Sequence, residues 1–241
     1  MIDEFINYVS NYDLNNIKIK LKYDHSIRVM NLMMKYAKEL GFDSYEVELA
    51  SVIGLLHDIG RFEQLKEYDS FNDKETIDHA TLGVKLLFED NLIKKFWSNK
   101  DDYELIKFAI KNHNKLNIEK CYNEKFLKYA KLIRDTDKID ILYVYGVSDE
   151  LKVRSENISI SKPILNCIKD NKTVSYDLIN NKNDELSVSF SYIFDINYDI
   201  CLKEFLYKLN ILYNKLEYKE KFKEIYMLIN EYVKDKERVI C

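Results

Sequence analysis

An all-α fold is predicted by three features of the chain. Its 241 residues include only 5 glycines and 1 proline, far too few for a turn-dense β-sandwich. Hydrophobic residues make up 46% and charged residues 32%, enough apolar material for one large core and too much for a disordered chain. Apolar residues also recur at intervals of three and four along most of the sequence, which is the helical spacing.

In chain order, a first helix fits 24–40, with Val29, Leu32, Met33, Tyr36 and Leu40 on one stripe and Gly41 as terminator. A second starts at Asp43, where Glu46 three residues on completes a capping-box pattern, and runs through Val47, Ala50, Ser51 and Gly54 to His57. The segment 62–75 is polar and aperiodic and reads as a long loop. Helices then fit 76–89, 102–113 and 126–145. Residues 187–196 alternate as a strand would, through Val188, Phe190, Tyr192, Phe194 and Ile196, yet Leu186, Phe190, Ile193 and Asn197 also form a helical stripe. A lone strand would leave its backbone groups unpaired, which favours the helix. From 200 to 236 the pattern is helical again. No repeat or linker marks a boundary, so 1–145 is expected to form a core. Residues 146–241 are then a helical extension packed on it as one structural unit.

The net charge is −4, from 41 acids against 37 scattered bases, so no footprint for a nucleic-acid duplex is expected. Cys121, Cys167, Cys201 and Cys241 make no Cys-x-x-Cys pair and are expected as reduced thiols. The acidic start, MIDEFINYVS, is unlike a signal peptide, and no apolar run approaches the ~18 residues of a membrane helix. A cytoplasmic protein with no membrane partner is the expectation.

Chemistry concentrates on a few residues. His25, His57, His79 and His113 are the only histidines. His25 leads Val29 and Leu32 on its stripe, His79 aligns with Leu82, Gly83 and Leu86, and His113 with Ile106, Ala109 and Ile110. Any one of them alone reads as a hydrogen-bonded core histidine; four directed inward are harder to dismiss in that way. His57 is followed by Asp58 where an apolar helix breaks, so an imidazole and a carboxylate, whose two oxygens can bridge two cations, come from one turn. In KLIRDTDKIDILYV, at about 100° per residue, Asp137 and Asp140 share the side of Tyr129, Ala130 and Ile133, whereas Asp135 points away and is expected in solvent. A carboxylate on an apolar face costs several kcal/mol unless it is paired or metal-bound. Asp140 could then orient a ligand or Lys138.

Together, His25, His57-Asp58 and Asp137 resemble the pattern of the HD-domain metal-dependent phosphohydrolases. The likeness spans 23–144 through YDHSIRV, LLHDIGRFEQ, DHATLGVKLL, IKNHNK and LIRDTDKID. It implies an all-α HD-domain helical bundle with additional C-terminal helices. It also implies one or two divalent transition-metal ions of the Mn, Fe, Co, Ni or Zn group. His25, His57, Asp58 and Asp137 would surround one ion, and Asp58, His79 and His113 the other. Such a pair activates water to cleave a small phosphorylated substrate, a nucleotide or related mono- or diester. Arg61 and Lys138, beside the ligands, are the candidate contacts to substrate oxygens, with Asp58 as the central catalytic carboxylate. The cyclic-dinucleotide branch carries a His-His pair and a Gly-Tyr-Pro loop; this chain has His113-Asn114 and no such loop. Two alternatives share the ligand set: an HD-fold di-iron oxygenase and a metal-binding regulatory domain without catalysis.

Overall fold

A computed structural model describes residues 1–148 and 154–240, excluding the side chains of 237–240. All regular structure among them is helical, as composition and spacing require. Two compact units divide at Asp137/Lys138, inside a long helix and eight residues before the boundary expected from sequence. No helix among the described residues is long and apolar enough to cross a membrane.

In the first unit, α1 (Ile2–Val9) sends Phe5 and Val9 inward; Phe5 packs on Tyr23 and Phe62. This short helix went unread because only two of its residues are buried. Helix α2 (Ile17–Glu39) starts about two turns earlier than its stripe suggested, with the Asn16 side chain accepting from Lys18 N. Helix α3 (Ser44–Leu56) opens on the predicted capping box, both halves present: Glu46 N donates to Asp43 Oδ1 and Asp43 N to Glu46 Oε2. Its backbone lies hard against α2, since a Cβ on Gly54 would fall 2.9 Å from Met30 Cα. This close approach brings His25 beside His57.

The expected loop at 62–75 is a correction. Residues 60–68 form α4 (Gly60–Tyr68), burying Phe62, Gln64 and Leu65, and only 69–78 is loop. The polar Gln64 broke the apolar pattern, yet it is buried because its amide donates to Asp73 Oδ1, Thr76 Oγ1 and Ile77 O at 2.8–2.9 Å. Helix α5 (His79–Val84) is capped by Asp78 and widens into a π-type turn over Lys85–Glu89. Helix α6 (Tyr103–Asn112) follows, and α7 (Glu124–Gly146) carries the acidic motif.

In the second unit, α8 (Lys162–Lys169), α9 (Lys182–Ser191), α10 (Asp199–Lys215) and α11 (Lys223–Ile240) follow. The ambiguous segment is helical to Ser191 and a 3₁₀ turn over Tyr192–Asp195. Its strand-like alternation has a simple cause: Ser187, Ser189 and Ser191 are buried along with Val188 and Phe190. Each serine hydroxyl donates to a carbonyl three or four residues back, at 2.6–2.7 Å, so a helix buried all round tolerates them. Cys121, Cys167 and Cys201 form no disulfide; Cys241 lies outside the described residues.

Candidate metal centre

His57 and His113 are placed by the same local device. Each stands just past the last turn of its helix, and its Nδ1 donates to the carbonyl three residues back, Gly54 O at 2.7 Å and Ile110 O at 2.6 Å. A helix end leaves such carbonyls without intrahelical donors. The imidazole satisfies one and presents Nε2 as a lone pair beyond the helix terminus, where the macrodipole favours a cation. His79, the first residue of α5, is held by a carboxylate instead, its Nδ1 lying 2.6 Å from Asp73 Oδ2. Asp58 sits in the turn between α3 and α4, which tightens to three-residue hydrogen bonds, Ile59 N to Leu56 O and Arg61 N to Asp58 O. That tightening lets neighbours His57 and Asp58 reach one place.

The six predicted ligands converge, and Asp58 lies between two sets. Its Oδ2 is 3.4 Å from His25 Nε2 and 3.7 Å from His57 Nε2; both nitrogens are also within 3.2–3.6 Å of Asp137 Oδ1. Its Oδ1 is 3.1 Å from His79 Nε2 and 3.6 Å from His113 Nε2. Donors bonded to one ion at about 2.1 Å stand about 3.0 Å apart at right angles and about 3.4 Å apart at tetrahedral angles, so these spacings are those of a coordination shell. The donor chemistry fits as well. His79 Nε2 and His113 Nε2 face each other at 3.0 Å, and with both Nδ1 atoms donating, neither neutral ring has a proton left to share. Two lone pairs and a carboxylate oxygen directed at one point repel unless a cation lies among them.

Electrostatics keep both carboxylates and His113 in their binding forms. Burial pulls the Asp58 carboxyl upward, but Lys22 and the surrounding imidazoles outweigh it and hold the group well below the usual carboxylate range. Asp137 is held low in the same way, by His25 and His57 against burial. Burial, aided by His79 and His57, pushes His113 down to about 4, so its ring is neutral near pH 7.

Two expectations for the acidic motif part here. Asp137 joins the cluster; Asp135 is fully buried rather than solvated. The expectation presumed a wet side, and α7 has no solvent face from Leu132 to Thr136; Asp137 is the less buried of the two. Asp140 is buried too. Asp137→Asn should therefore empty the first set with the fold intact. Asp135→Asn should keep metal yet lower stability, at about 1–3 kcal/mol for a buried polar group that loses its charge, read by metal analysis alongside thermal melting. Metal loss in the Asp135 variant alone would reverse the assignment.

Arg61 and Lys138 each have an acidic partner. Arg61 Nη1 is occupied by Asp73 Oδ1, Gln64 Oε1 and Phe71 O at 2.7–2.8 Å. Its Nε, buried without a hydrogen-bond acceptor, lies 3.7 Å from Asp58 Oδ1. Lys138 Nζ lies 2.7 Å from Asp195 Oδ2 and over the Tyr192 ring.

Three residues at the centre escaped the sequence reading. Lys22 donates to Asp58 Oδ2 at 2.6 Å; standing three residues before His25, it was discoverable as its helical neighbour. Arg134, 1% exposed, donates to Asn112 O, Lys115 O and Leu116 O at 2.6–3.2 Å, fixing the turn that carries His113. Asp73 joins His79 to Arg61 and Gln64, a pairing across loop residues that no spacing announces. Carboxylates behind a ligating imidazole commonly change metal affinity ~10–100-fold. Asp73→Asn should weaken the His79–His113 set by that factor in a metal titration and leave the His25–His57 set unchanged.

Residues 23–142 match the family model of the HD domain, and the chain belongs to that family. No curated protein and no solved structure matches it. The matched span contains all six converging ligands, three overlapping groups of which could hold a metal ion.

Proposed function

We propose that the protein is a metal-dependent phosphohydrolase that cleaves a small phosphate ester with water as nucleophile, a nucleotide being the leading substrate. The observation that carries this reading is the placement of Asp58, one oxygen toward His25 and His57 and the other toward His79 and His113. In this reading His25, His57, Asp58 and Asp137 hold one divalent transition-metal ion, and Asp58, His79 and His113 a second. Such ions supply Lewis acidity at a phosphoryl oxygen and water that ionises near neutral pH.

The chain's own groups orient and enclose. The carbonyls of Gly54 and Ile110 and the Asp73 carboxylate fix three imidazole rings, so the centre is formed before substrate arrives. Arg61 is anchored through Nη1, which leaves Nε as a positioned donor for a substrate oxygen. Lys138, engaged by Asp195, is assigned no substrate contact. No serine or cysteine nucleophile is needed.

A metal-resolved activity screen over nucleotides, sugar phosphates and cyclic dinucleotides tests the reading. Phosphate or nucleotide release with Mn or a similar ion, abolished by chelation, is expected. Substrate-dependent oxygen consumption without phosphate release would transfer the assignment to a di-iron oxygenase. No turnover with any metal would leave a metal-binding regulatory domain.

A further inference from the structure

Lys22 brings an ammonium into hydrogen-bond contact with the ligand cluster. It projects from α2 one turn before His25, places Nζ 2.6 Å from Asp58 Oδ2, and is 17% exposed along its side chain. Phe71, from the loop 69–78, lies against it: the ring centroid is 5.4 Å from Lys22 Nζ and 5.5 Å from Arg61 Cζ. One aromatic face thus covers two cationic groups that approach Asp58 from opposite oxygens, Lys22 at Oδ2 and Arg61 Nε at Oδ1.

Charge balance separates these two cations. Arg61 is already matched by Asp73 at 2.7 Å, whereas Lys22 shares Asp58 with four imidazoles. If two divalent ions are held, they meet only Asp58 and Asp137 as anionic ligands. Two positive charges remain; a metal-activated hydroxide offsets one of them, and Lys22 restores the excess to two. An ammonium placed there is repelled by the ions unless an anion enters with them. The anion that offsets this excess is a phosphoryl group with two or more charges, as in a phosphomonoester or the end of a polyphosphate, rather than a singly charged diester.

Resting on the phosphohydrolase reading above, we infer that Lys22 is a substrate-binding residue that donates to a non-bridging oxygen of a terminal, multiply charged phosphoryl group. The neighbouring Phe71 ring, 5.4 Å from Nζ, lines that contact. Charge-assisted hydrogen bonds of this kind are about twice as strong as neutral ones.

The test is calorimetric binding of inorganic phosphate and of dimethyl phosphate to the full-length protein loaded with Mn, with metal content measured on every sample. Wild type is expected to bind phosphate at least tenfold more tightly than dimethyl phosphate. Lys22→Met should retain the metal and lose phosphate affinity tenfold or more, and Lys22→Arg should recover most of it. A Lys22→Met protein that keeps metal and unchanged phosphate affinity overturns the inference and leaves the phosphohydrolase reading standing. Metal loss in both Lys22→Met and Lys22→Arg also overturns it, making Lys22 a structural counter-ion of Asp58. Wild type that holds metal but binds neither probe would remove the phosphohydrolase reading itself, and this inference with it.

Discussion

Asp58→Ala is expected to take the protein from two bound ions per chain to none, whereas His113→Ala should leave one. Asp58 turns one oxygen to each set: its Oδ1 faces His79 and His113, its Oδ2 His25 and His57. Without it the second set loses the carboxylate oxygen that faces both Nε2 atoms. The first set keeps Asp137, but Lys22 loses its 2.6 Å partner and stands as an uncompensated cation beside the ion's place. His113→Ala removes one donor from the second set and touches the first only indirectly. Asp58→Asn, which keeps the shape of the side chain, separates metal loss from misfolding. Elemental analysis of gently purified protein reads the result; loss of one ion in both variants would show a single mononuclear centre.

The converging histidines and aspartates were legible because metal binding draws on particular residue types, and these stood out against apolar stripes. His25, His79 and His113 lay on faces that packing had to bury, and Asp137 shared a side with Tyr129 and Ile133. What supports the ligands was far less visible, because support is a matter of contact between distant segments. Asp73 reaches His79 from a loop, and Arg134 reaches back about twenty residues to the turn after His113. Both are charged residues of the sort that usually face solvent. Asp135 failed for the related reason that amphipathic phase presumes a wet side. In α7 the residues on every side of Asp135 are buried, so phase could select the inward carboxylate but not expose the other. The loop reading at 62–68 failed through Gln64, a polar residue whose amide nitrogen is satisfied by the following loop and whose oxygen accepts from Arg61.

Gly60→Ala should be severely damaging and Gly83→Ala nearly silent, although the two glycines meet across the same helix contact. Helix α4 begins at Gly60 and α5 at His79. A Cβ on Gly60 would stand 2.2 Å from the carbonyl oxygen of His79 and 2.7 Å from Gly83 N. Both obstacles are backbone, so no rotamer change relieves them, and α5 must move away. Overpacking of a core commonly costs about 1–3 kcal/mol; a backbone clash of this depth belongs at or above that upper figure. The displaced residue is His79 itself, so the His79–His113 set should lose its ion before the rest of the fold fails. A Cβ on Gly83 approaches nothing nearer than 3.4 Å, at Gly60 N and Ile59 Cγ2, which is ordinary contact. Its higher helix propensity should hold stability level or raise it by up to about 1 kcal/mol. Thermal melting combined with metal titration distinguishes the pair. With ~2–4 °C per kcal/mol for a chain of this size, Gly60→Ala should melt at least ~5 °C lower and bind one ion, and Gly83→Ala should match the parent in both. Equal tolerance at the two positions would mean that α4 and α5 do not approach this closely, and the placement of His79 against Asp58 would fall with it.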